Sequence, residues 1–325
     1  NIIPGSVSEK VWIDINGIKQ GMFIRGEDIQ NPVLLYLHGG PGTPLFQFIS
    51  YLEKEERLER YFTVCYWDQR GAGMTYDKST DPTTMTVDQL VEDTREVTEY
   101  LKSRFGQNKI YLLGHSWGSY LGVKTIEKYP ENYLAYIGIG QVSNQKESER
   151  LAYQYILSRA KQMNDKDVIE KLEKYDPYAD DFPQLDYLVK GRTAILNKYG
   201  IGHLHQGVTS WDILKSLFVF KGYTVTEKIN WFLGADFSMI HLFPGLLEDD
   251  LFLSSVKFEV PFYITQGTHD YMVSQVLAEK YAEACEAPKK EFILFEDSAH
   301  SPNMEEPEKF IEVMRRIALE NPLEE

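Results

Sequence analysis

Three short apolar runs, each ending in a glycine-rich turn, constrain the fold of this chain more than any other feature. The runs and their turns are Val33–Leu37 before His38-Gly39-Gly40-Pro41-Gly42, Phe62–Trp67 before Asp68-Gln69-Arg70-Gly71-Ala72-Gly73, and Ile110–Leu113 before Gly114-His115-Ser116-Trp117-Gly118. The runs are continuous rather than alternating, which is typical of strands covered on both faces in a parallel sheet. We therefore expect each run to be a strand of one such sheet.

A helix is predicted between the second and the third run, over Thr86–Phe105. Thr86 and Gln89 have the spacing of a capping box, apolar residues follow at helical spacing, and Gly106 ends the pattern. A strand, a helix and a second strand form a βαβ unit, which belongs to a parallel sheet. Further elements are predicted as strands at Leu134–Gly140, Val260–Gln266 and Glu291–Phe295 and as helices at about Ser274–Glu286 and Glu306–Leu319.

Two other parts of the chain depart from this alternation. Near the start, apolar and polar residues alternate on both sides of Asn16-Gly17, which predicts an antiparallel hairpin with a type I′ turn. Residues 144–258 are rich in charge, Tyr and Leu at helical spacing, with breaks at Asp176-Pro177 and Phe243-Pro244-Gly245. We expect an α/β fold with a mostly parallel central sheet flanked by helices: residues 1–143 and 259–325 form the core, and residues 144–258 form an inserted helical lid.

The charge of the chain excludes one large class of partners. Its 325 residues include 34 Lys and Arg and 49 Asp and Glu, a formal net charge of −15. Nucleic acids and anionic membranes are bound by basic surfaces, so neither is expected as a partner. No apolar run approaches the roughly 18 residues of a membrane span, and no span is expected. The expected partner is a small molecule or a short peptide, and the oligomeric state is left open.

Cysteine content and the first residue bear on the location of the protein. Cys65 lies in an apolar run and Cys285 in a predicted helix, so we expect two buried thiols and no disulfide scaffold. Such thiols are typical of a reducing compartment, and a cytoplasmic location is expected. The chain begins at Asn1 without Met, which indicates that something upstream has been removed; an export signal or an anchor there is the alternative.

The sharpest functional signal is Gly114-x-Ser116-x-Gly118, which lies between a predicted strand and a predicted helix. The turn in this context is sharp, and its two glycines leave room that side chains would fill. The serine oxygen is then exposed above the sheet, at the amino end of the helix. A serine hydroxyl is a weak nucleophile near neutral pH and needs a base within hydrogen-bonding reach. We expect Ser116 to be the nucleophile of an acyl-transfer reaction.

His300 and Asp270 are the predicted partners of Ser116. His300 follows the last predicted strand, and Asp270 follows the strand before it. Serine, acid and histidine in that chain order, with the last two on loops after strands, match one known arrangement of the catalytic triad. We expect His300 to be the general base and Asp270 to hold its imidazole in the productive tautomer.

Two of the glycine-rich turns are predicted to supply the donors of an oxyanion hole. The backbone N–H groups of Gly40 and Trp117 are expected to stabilise the negative charge that develops on the substrate oxygen. The third turn, Asp68-Gln69-Arg70-Gly71-Ala72-Gly73, lacks the spacing of a phosphate-binding loop. For that turn we expect packing through Asp68 and Arg70.

The other histidines are expected to be structural. His203 and His205 are spaced as two metal ligands could be, but no carboxylate or Cys stands at ligand spacing. We interpret them as part of a polar loop of the lid, and no metal is expected. His115 is expected to pack beside the Ser116 turn.

The three turns together resemble those of the proline iminopeptidase family of α/β-hydrolases. The residues that carry the resemblance are His38-Gly39-Gly40-Pro41-Gly42, Asp68-Gln69-Arg70-Gly71-x-Gly73 and Gly114-x-Ser116-Trp117-Gly118-Ser119. The resemblance covers about Val33–Gly140 and Pro261–Phe310. It implies the α/β-hydrolase fold with a helical lid over the site. It also implies release of an N-terminal proline or another small residue from short peptides, without a cofactor.

The sequence departs from that family at His115, where a Gly is common, at Thr43 and Pro44 after Gly42, and at Thr268 and His269 before the predicted acid. Members hold the free amine of the substrate with lid carboxylates, and the candidates here are Glu147, Glu149, Asp176, Asp180, Asp181, Asp236 and Glu248–Asp250. No motif matches any of them to that role. Two rivals stay open. A carboxylesterase, a lactonase or a general amidase would use the same triad with a lid that lacks an amine-binding carboxylate, and a non-catalytic ligand-binding protein would keep only the fold.

Overall fold

The computed structural model describes residues 4–52, 57–205 and 210–323, which form an eight-stranded sheet and the helices packed on it. Asn1, on which the prediction of a removed upstream segment depends, lies outside the described residues. The strands are β1 (Val7–Ile15), β2 (Ile18–Gly26), β3 (Val33–Leu37), β4 (Thr63–Trp67), β5 (Ile110–His115), β6 (Tyr133–Ile139), β7 (Phe262–Gly267) and β8 (Lys290–Phe295). Their order across the sheet is β1-β2-β4-β3-β5-β6-β7-β8.

The pairing of the strands confirms a mostly parallel sheet. β1 pairs with β2, and β2 with β4, in antiparallel fashion, and all other neighbours are parallel. The predicted hairpin is also confirmed: Ile15 pairs with Ile18 across Asn16-Gly17, whose φ angles are 45° and 84°. Positive φ at both central residues is the mark of a type I′ turn.

The helices follow the strands as the βαβ pattern requires. Outside the stretch between β6 and β7 they are α1 (Phe46–Tyr51), α2 (Val87–Phe105), α3 (Trp117–Lys128), α11 (Gln275–Ala284), α12 (Pro302–Glu305) and α13 (Pro307–Glu320). Between β6 and β7 they are α4 (Gln145–Met163), α5 (Lys166–Leu172), α6 (Leu185–Tyr187), α7 (Thr193–Lys198), α8 (Ser210–Val219), α9 (Val225–Glu248) and α10 (Leu251–Ser254). None of the helices in the described part of the chain is both long and apolar enough to cross a membrane.

The caps of α2 correct one detail of the sequence prediction. The Thr86 hydroxyl accepts the Gln89 backbone N–H at 3.2 Å, and Gly106 ends the helix with a φ of 65°. The Gln89 side chain, however, donates to the buried carboxylate of Asp93 at 2.9 Å instead of returning to Thr86. Only half of the predicted capping box is formed, because the hydrogen bond to this carboxylate, a strong acceptor, holds the Gln89 side chain where its oxygen does not accept the Thr86 backbone N–H.

Both faces of the sheet are buried, as the continuous apolar runs predict. Along β3, Val33, Leu35 and Leu37 belong to one hydrophobic cluster, which includes residues of α2 and α3. Leu34 and Tyr36 belong to a second cluster, which includes residues of α13. Successive strand residues point to opposite faces, so helices cover the sheet from both sides.

The helices between β6 and β7 pack in two ways. Residues of α4, α5 and α7 form a hydrophobic cluster of their own, whereas Leu242, Phe243 and Leu246 of α9 join the cluster that contains α2 and α3. The predicted break at Phe243-Pro244-Gly245 is wrong, since α9 continues through Pro244 to Glu248. Burial of apolar residues on both sides of Pro244 outweighs the roughly 3 kcal/mol that proline costs inside a helix. The division into a core and a lid of residues 144–258 remains a proposal.

Candidate active site

Ser116 occupies the turn between β5 and α3, at the carboxyl edge of the sheet. Its φ of 57° and ψ of −122° are strained for a residue with a side chain. Glycines make this turn possible: a Cβ on Gly114 would lie 2.3 Å from the Gly118 carbonyl oxygen, and a Cβ on Gly118 would lie 2.1 Å from the Leu37 carbonyl oxygen. α3 therefore packs tightly against the end of β3, and Ser116 stands at its amino end.

Asp270 and His300 lie on the loops after β7 and β8 and form a buried pair. Nδ1 of His300 lies 2.8 Å from Oδ2 of Asp270. The backbone N–H groups of Met272 and Val273 donate to Oδ1, and the Gln266 side chain donates to Oδ2. These donors hold the carboxylate in one orientation. They leave Nδ1–H of His300 facing the carboxylate, with Nε2 on the opposite side of the ring.

One cavity of about 340 Å³ brings the predicted site residues together. Ser116 and His300 both line it, together with Gly40 and Trp117. A close approach of the chain behind the histidine depends on Gly140, where a Cβ would lie 2.8 Å from the His300 ring. The ends of β5 and β8 thus place the serine and the histidine at one cavity, and the loop after β7 places the acid against the histidine. Their catalytic roles stay a prediction.

The two predicted oxyanion donors reach this cavity from different elements. Trp117 is the first residue of α3, where backbone N–H groups have no acceptor within the helix. Gly40 has a φ of 116°, which strongly favours glycine, and a Cβ there would collide with the turn that follows it. A Cβ on the preceding Gly39 would lie 3.0 Å from Cβ of Ser116, so this loop comes close to the serine. The donor roles of both amides stay a prediction.

Gln69 connects the three glycine-rich turns. Its backbone N–H donates to Nε2 of His38 at 3.2 Å, and its side-chain oxygen accepts from the Trp117 indole at 3.2 Å. Burial lowers the pKa of His38 to about 4, so its ring is neutral and able to accept. The neighbouring Arg70 forms a buried ion pair with Asp93 at 2.7 Å. Packing was the role expected of this turn, and these contacts confirm it.

Two further histidines flank the imidazole of His300. The ring centroids of His115 and His203 lie 5.0 and 6.4 Å from that of His300. Burial lowers the pKa of each flanking ring to about 3, so both are neutral. Nε2 of His115 donates to the His300 carbonyl oxygen at 3.0 Å, which confirms that His115 packs beside the Ser116 turn. His203 lines the cavity, a position that the sequence did not reveal, whereas His205 stacks on His269 at 3.8 Å.

The proposed lid, between β6 and β7, supplies a mainly apolar wall to the cavity. Among its contributions are Leu188, Leu204, Trp231, Met239 and Phe243. No Asp or Glu is found among the lining residues within the described ranges, so none of the lid carboxylates nominated by the resemblance lines the cavity. The absence of a lining carboxylate removes the feature by which a free amine would be recognised directly.

Glu149, one of those nominated carboxylates, lies behind two lining residues. Its oxygens accept hydrogen bonds from Arg192 at 2.8 and 2.5 Å and from Gln145 at 2.8 Å, and both of these donors line the cavity. Burial raises the pKa of Glu149, and the positive charge of Arg192 opposes that shift. The carboxylate is therefore engaged within the lid rather than presented to the cavity.

Sequence reasoning assigned no role to Gln266 or Arg192. The role of Gln266 could have been predicted from the sequence. A glutamine inside an apolar strand, four residues before Asp270, needs a buried polar partner. No local signal points to Arg192, whose partners Glu149 and Met272 lie 43 and 80 residues away along the chain. Only the folded lid brings these three together.

The chain is similar to known proteins in both sequence and fold. A family model described as alpha/beta hydrolase fold matches residues 32–307. The probable aminopeptidase YbaC of Bacillus subtilis is 36% identical over 309 residues, 94% of this chain and 95% of that protein. A proline iminopeptidase of Saccharolobus solfataricus is 28% identical over 304 residues, 88% of this chain and 84% of that protein. The structure of a proline iminopeptidase of Mycobacterium smegmatis matches with a TM-score of 0.66 at 16% identity, over 96% of this chain and 98% of that one, and supports the fold alone.

Proposed function

Since this chain belongs to the α/β-hydrolase family and is related to aminopeptidases and proline iminopeptidases, we propose that it is a serine hydrolase. Ser116 is the nucleophile, His300 the general base and Asp270 the acid that orients the base. The observation that carries the proposal is the 2.8 Å pair of His300 Nδ1 and Asp270 Oδ2 beside the cavity that Ser116 lines. With Nδ1 engaged by Asp270, Nε2 is the nitrogen left to take the proton of Ser116.

Catalysis proceeds by a double displacement. Oγ of Ser116 attacks the substrate carbonyl carbon while Nε2 of His300 takes the hydroxyl proton, and the N–H groups of Gly40 and Trp117 donate to the oxyanion. His300 then gives that proton to the leaving group as its bond to the carbonyl carbon breaks, which leaves an acyl group on Ser116. A water molecule, deprotonated by His300, attacks this acyl-enzyme; the carboxylic acid departs and Ser116 regains its proton.

The first substrate class is a short peptide from which an N-terminal proline or another small residue is released. The named relatives support this class, because the chain matches them over most of their length. A cavity of about 340 Å³ suits a small acyl group. Apolar lid residues such as Trp231 and Phe243 are suitable neighbours for a prolyl ring.

A carboxylesterase, a lactonase or a general amidase is the second candidate, and a specific observation favours it. The described wall of the cavity contains no Asp or Glu. An ammonium group bound there would be removed from water without a counter-charge, which is costly. An uncharged acyl group meets no such penalty, and the same triad would cleave its ester or amide.

The first experiment measures kcat/KM for a prolyl anilide and for a small acyl ester. Ser116→Ala is expected to lower the turnover of an accepted substrate on the order of 10⁶-fold, by comparison with another serine hydrolase. Ser79→Ala replaces an exposed serine and is expected to match the wild type. A serine-directed fluorophosphonate is expected to label the wild type and Ser79→Ala but not Ser116→Ala.

The outcomes separate the candidates. Prolyl turnover that disappears in Ser116→Ala supports the aminopeptidase. Ester turnover alone, also lost in that variant, keeps the serine hydrolase and discards the aminopeptidase. Near-normal turnover in Ser116→Ala would refute Ser116 as the nucleophile.

A further inference from the structure

Arg192 lies in the wall of the cavity, at the end of the π-helical turn Leu188–Arg192 in the lid. Its Nε and Nη2 donate to Glu149 at 2.8 and 2.5 Å, and Nη2 also donates to the Met272 carbonyl oxygen at 3.0 Å. The third nitrogen, Nη1, has no hydrogen-bond partner among the residues that the structure describes. Since Arg192 lines the cavity, Nη1 is available to a bound molecule.

The ion pair of Arg192 and Glu149 is buried and fixed in geometry. Arg192 is 7% exposed and Glu149 is 0% exposed. The Gln145 side chain donates to Glu149 at 2.8 Å and to the Met272 carbonyl oxygen at 3.0 Å, so it supports the same arrangement. Replacing a buried ion pair by apolar residues is often neutral or stabilising. A guanidinium that is retained here with one nitrogen free is therefore better explained by binding than by stability.

Arg192 is connected to the proposed triad through Met272. Met272, whose carbonyl oxygen accepts from Arg192, donates its own backbone N–H to Asp270 at 2.9 Å. Arg192 is thus attached to the loop that holds the acid of the proposed triad, and that acid pairs with His300. In the mechanism above His300 protonates the leaving group, so the leaving group is bound beside it.

We propose that Arg192 binds the leaving group of the substrate, whose carbonyl oxygen accepts a hydrogen bond from Nη1. This site rests on the serine-hydrolase function proposed above and adds the class of leaving group. Arg192 and Glu149 are neutral as a pair, so a charged group of the substrate would be buried here without a counter-charge. A neutral carbonyl oxygen carries no such penalty. The preferred substrates are amides or esters whose leaving group has a carbonyl near the scissile bond, as the main chain of a peptide does.

A matched pair of substrates isolates this contact. Both substrates carry the same acyl group, either prolyl or the simple acyl group, whichever the wild type turns over faster. In one substrate this acyl group is joined to a carbamoylmethyl group and in the other to an isobutyl group, through the same type of scissile bond. The two leaving groups have the same branched shape, and only carbamoylmethyl has a carbonyl. The carbamoyl group also makes the leaving group less basic, so the two substrates differ in intrinsic reactivity, and the ratio of their kcat/KM values is compared between the wild type and variants that lack the donor. A hydrogen bond from a charged donor is expected to raise this carbamoylmethyl-to-isobutyl ratio in the wild type about 10- to 100-fold above its value in those variants.

Two variants of Arg192 test the donor. In the double variant Arg192→Met with Glu149→Met the kcat/KM ratio is expected to fall about 10- to 100-fold, because the donor is lost and no charge is left unpaired. Arg192→Lys is the variant to use if the double variant does not fold. Its single ammonium group, held by Glu149, cannot also occupy the position of Nη1, so the kcat/KM ratio is expected to fall in this variant as well. Arg150→Met removes an arginine that pairs with Glu147 elsewhere in the lid and is expected to keep the wild-type ratio.

Failure of this site and failure of the proposed function appear in different measurements. A ratio that is unchanged in the folded Arg192 variants, or an equal fall in Arg150→Met, would overturn the leaving-group site and leave the serine hydrolase intact. Turnover of both substrates by Ser116→Ala would instead overturn the proposed function.

Discussion

At the scale of single residues, Asp270 is oriented by more than its contact with His300. Oδ1 accepts the backbone N–H groups of Met272 and Val273 at 2.9 and 3.0 Å, and Oδ2 accepts the Gln266 side chain at 2.7 Å. Gln266 belongs to β7, so the position of the carboxylate is set by the sheet and by its own loop. A substitution that keeps the shape of Asp270 should therefore keep the geometry of the site and change only its chemistry.

Asp270→Asn is expected to fold, with some loss of stability because its amide nitrogen would face the side-chain nitrogen of Gln266, and to lower kcat about 10⁴-fold. The amide nitrogen of Asn would face Nδ1 of His300 as a donor, so the imidazole would place its proton on Nε2. That tautomer cannot accept the proton of Ser116. The measurement is kcat with the accepted substrate, together with a thermal melt. Asp297→Asn, at an exposed position on the loop that carries His300, is the control, and a loss below about tenfold in Asp270→Asn would contradict the proposed role.

Residues that follow a conspicuous local pattern could be predicted, and residues placed by the folded lid could not. Ser116 lies in a glycine motif directly after an apolar run, and His300 follows the last such run, so the sequence itself marks both. Arg192 carries no such mark, since its environment depends on Glu149 in α4 and on Met272 after β7. For the same reason His203 was assigned to a polar loop although it lines the cavity.

At the scale of elements, the contact of α3 with β3 positions Ser116, the proposed nucleophile. Gly118 is the closest point of that contact, because a Cβ there would lie 2.1 Å from the Leu37 carbonyl oxygen and 2.8 Å from the His38 carbonyl oxygen. These neighbours are backbone atoms and cannot rotate away. Any side chain at this position has to move the helix that begins at Trp117, and with it Ser116.

Gly118→Ala is expected to destabilise the protein by about 1–3 kcal/mol or more and to reduce kcat/KM at least 100-fold, since overpacking shifts the backbone. The free energy of unfolding in urea and kcat/KM are the measurements. Gly245→Ala in α9 is the matched control: nothing lies within 4 Å of its Cβ position, and alanine favours a helix by about 0.5–1 kcal/mol. Equal stability of the two variants would show that α3 does not depend on this close approach.

Secondary-structure elements can be predicted from the sequence where the pattern of burial is uniform along the element. The central strands β3, β4, β5 and β6 are buried on both faces, and their continuous apolar runs predict them within a few residues. The full length of α9 cannot be predicted from the sequence, because proline normally ends a helix. Only the burial of Leu242 and Leu246 in the core cluster explains why the helix continues through Pro244. Tertiary packing of that kind leaves no trace in local propensity.

At the scale of the whole molecule, Asp68 joins the end of β4 to the proposed lid. Its Oδ2 accepts the backbone N–H of Met74 and the hydroxyl of Tyr223, each at 2.8 Å, and Tyr223 lies just before α9. Burial raises the pKa of Asp68 to about 7, and the negative charge of Glu227 adds to this shift. The two hydrogen bonds and the positive charge of Lys10, which pairs with Glu227, act in the opposite direction.

Because the pKa of Asp68 is raised in the folded protein, the free energy of unfolding should decrease as the pH rises toward that pKa. Between about pH 4 and pH 7 the folded protein keeps a proton on Asp68 that the unfolded chain has already released. The free energy of unfolding then decreases by up to about 1.4 kcal/mol for each pH unit, and above about pH 7 this contribution is constant. Asp68→Asn removes it, because the amide does not titrate and its oxygen still accepts from Tyr223 and Met74.

Urea unfolding of the wild type and of Asp68→Asn at pH 5, 6, 7 and 8 tests this prediction. The titration of all other groups cancels in the difference between the two free energies of unfolding. The wild type is therefore expected to lose stability relative to Asp68→Asn between pH 5 and 7 only. Asp28→Asn, at an exposed position, is expected to parallel the wild type throughout. Parallel curves for Asp68→Asn as well would mean that Asp68 is ionised in the folded protein. The contact between sheet and lid would then be a charged one, and its strength would not depend on pH near neutrality.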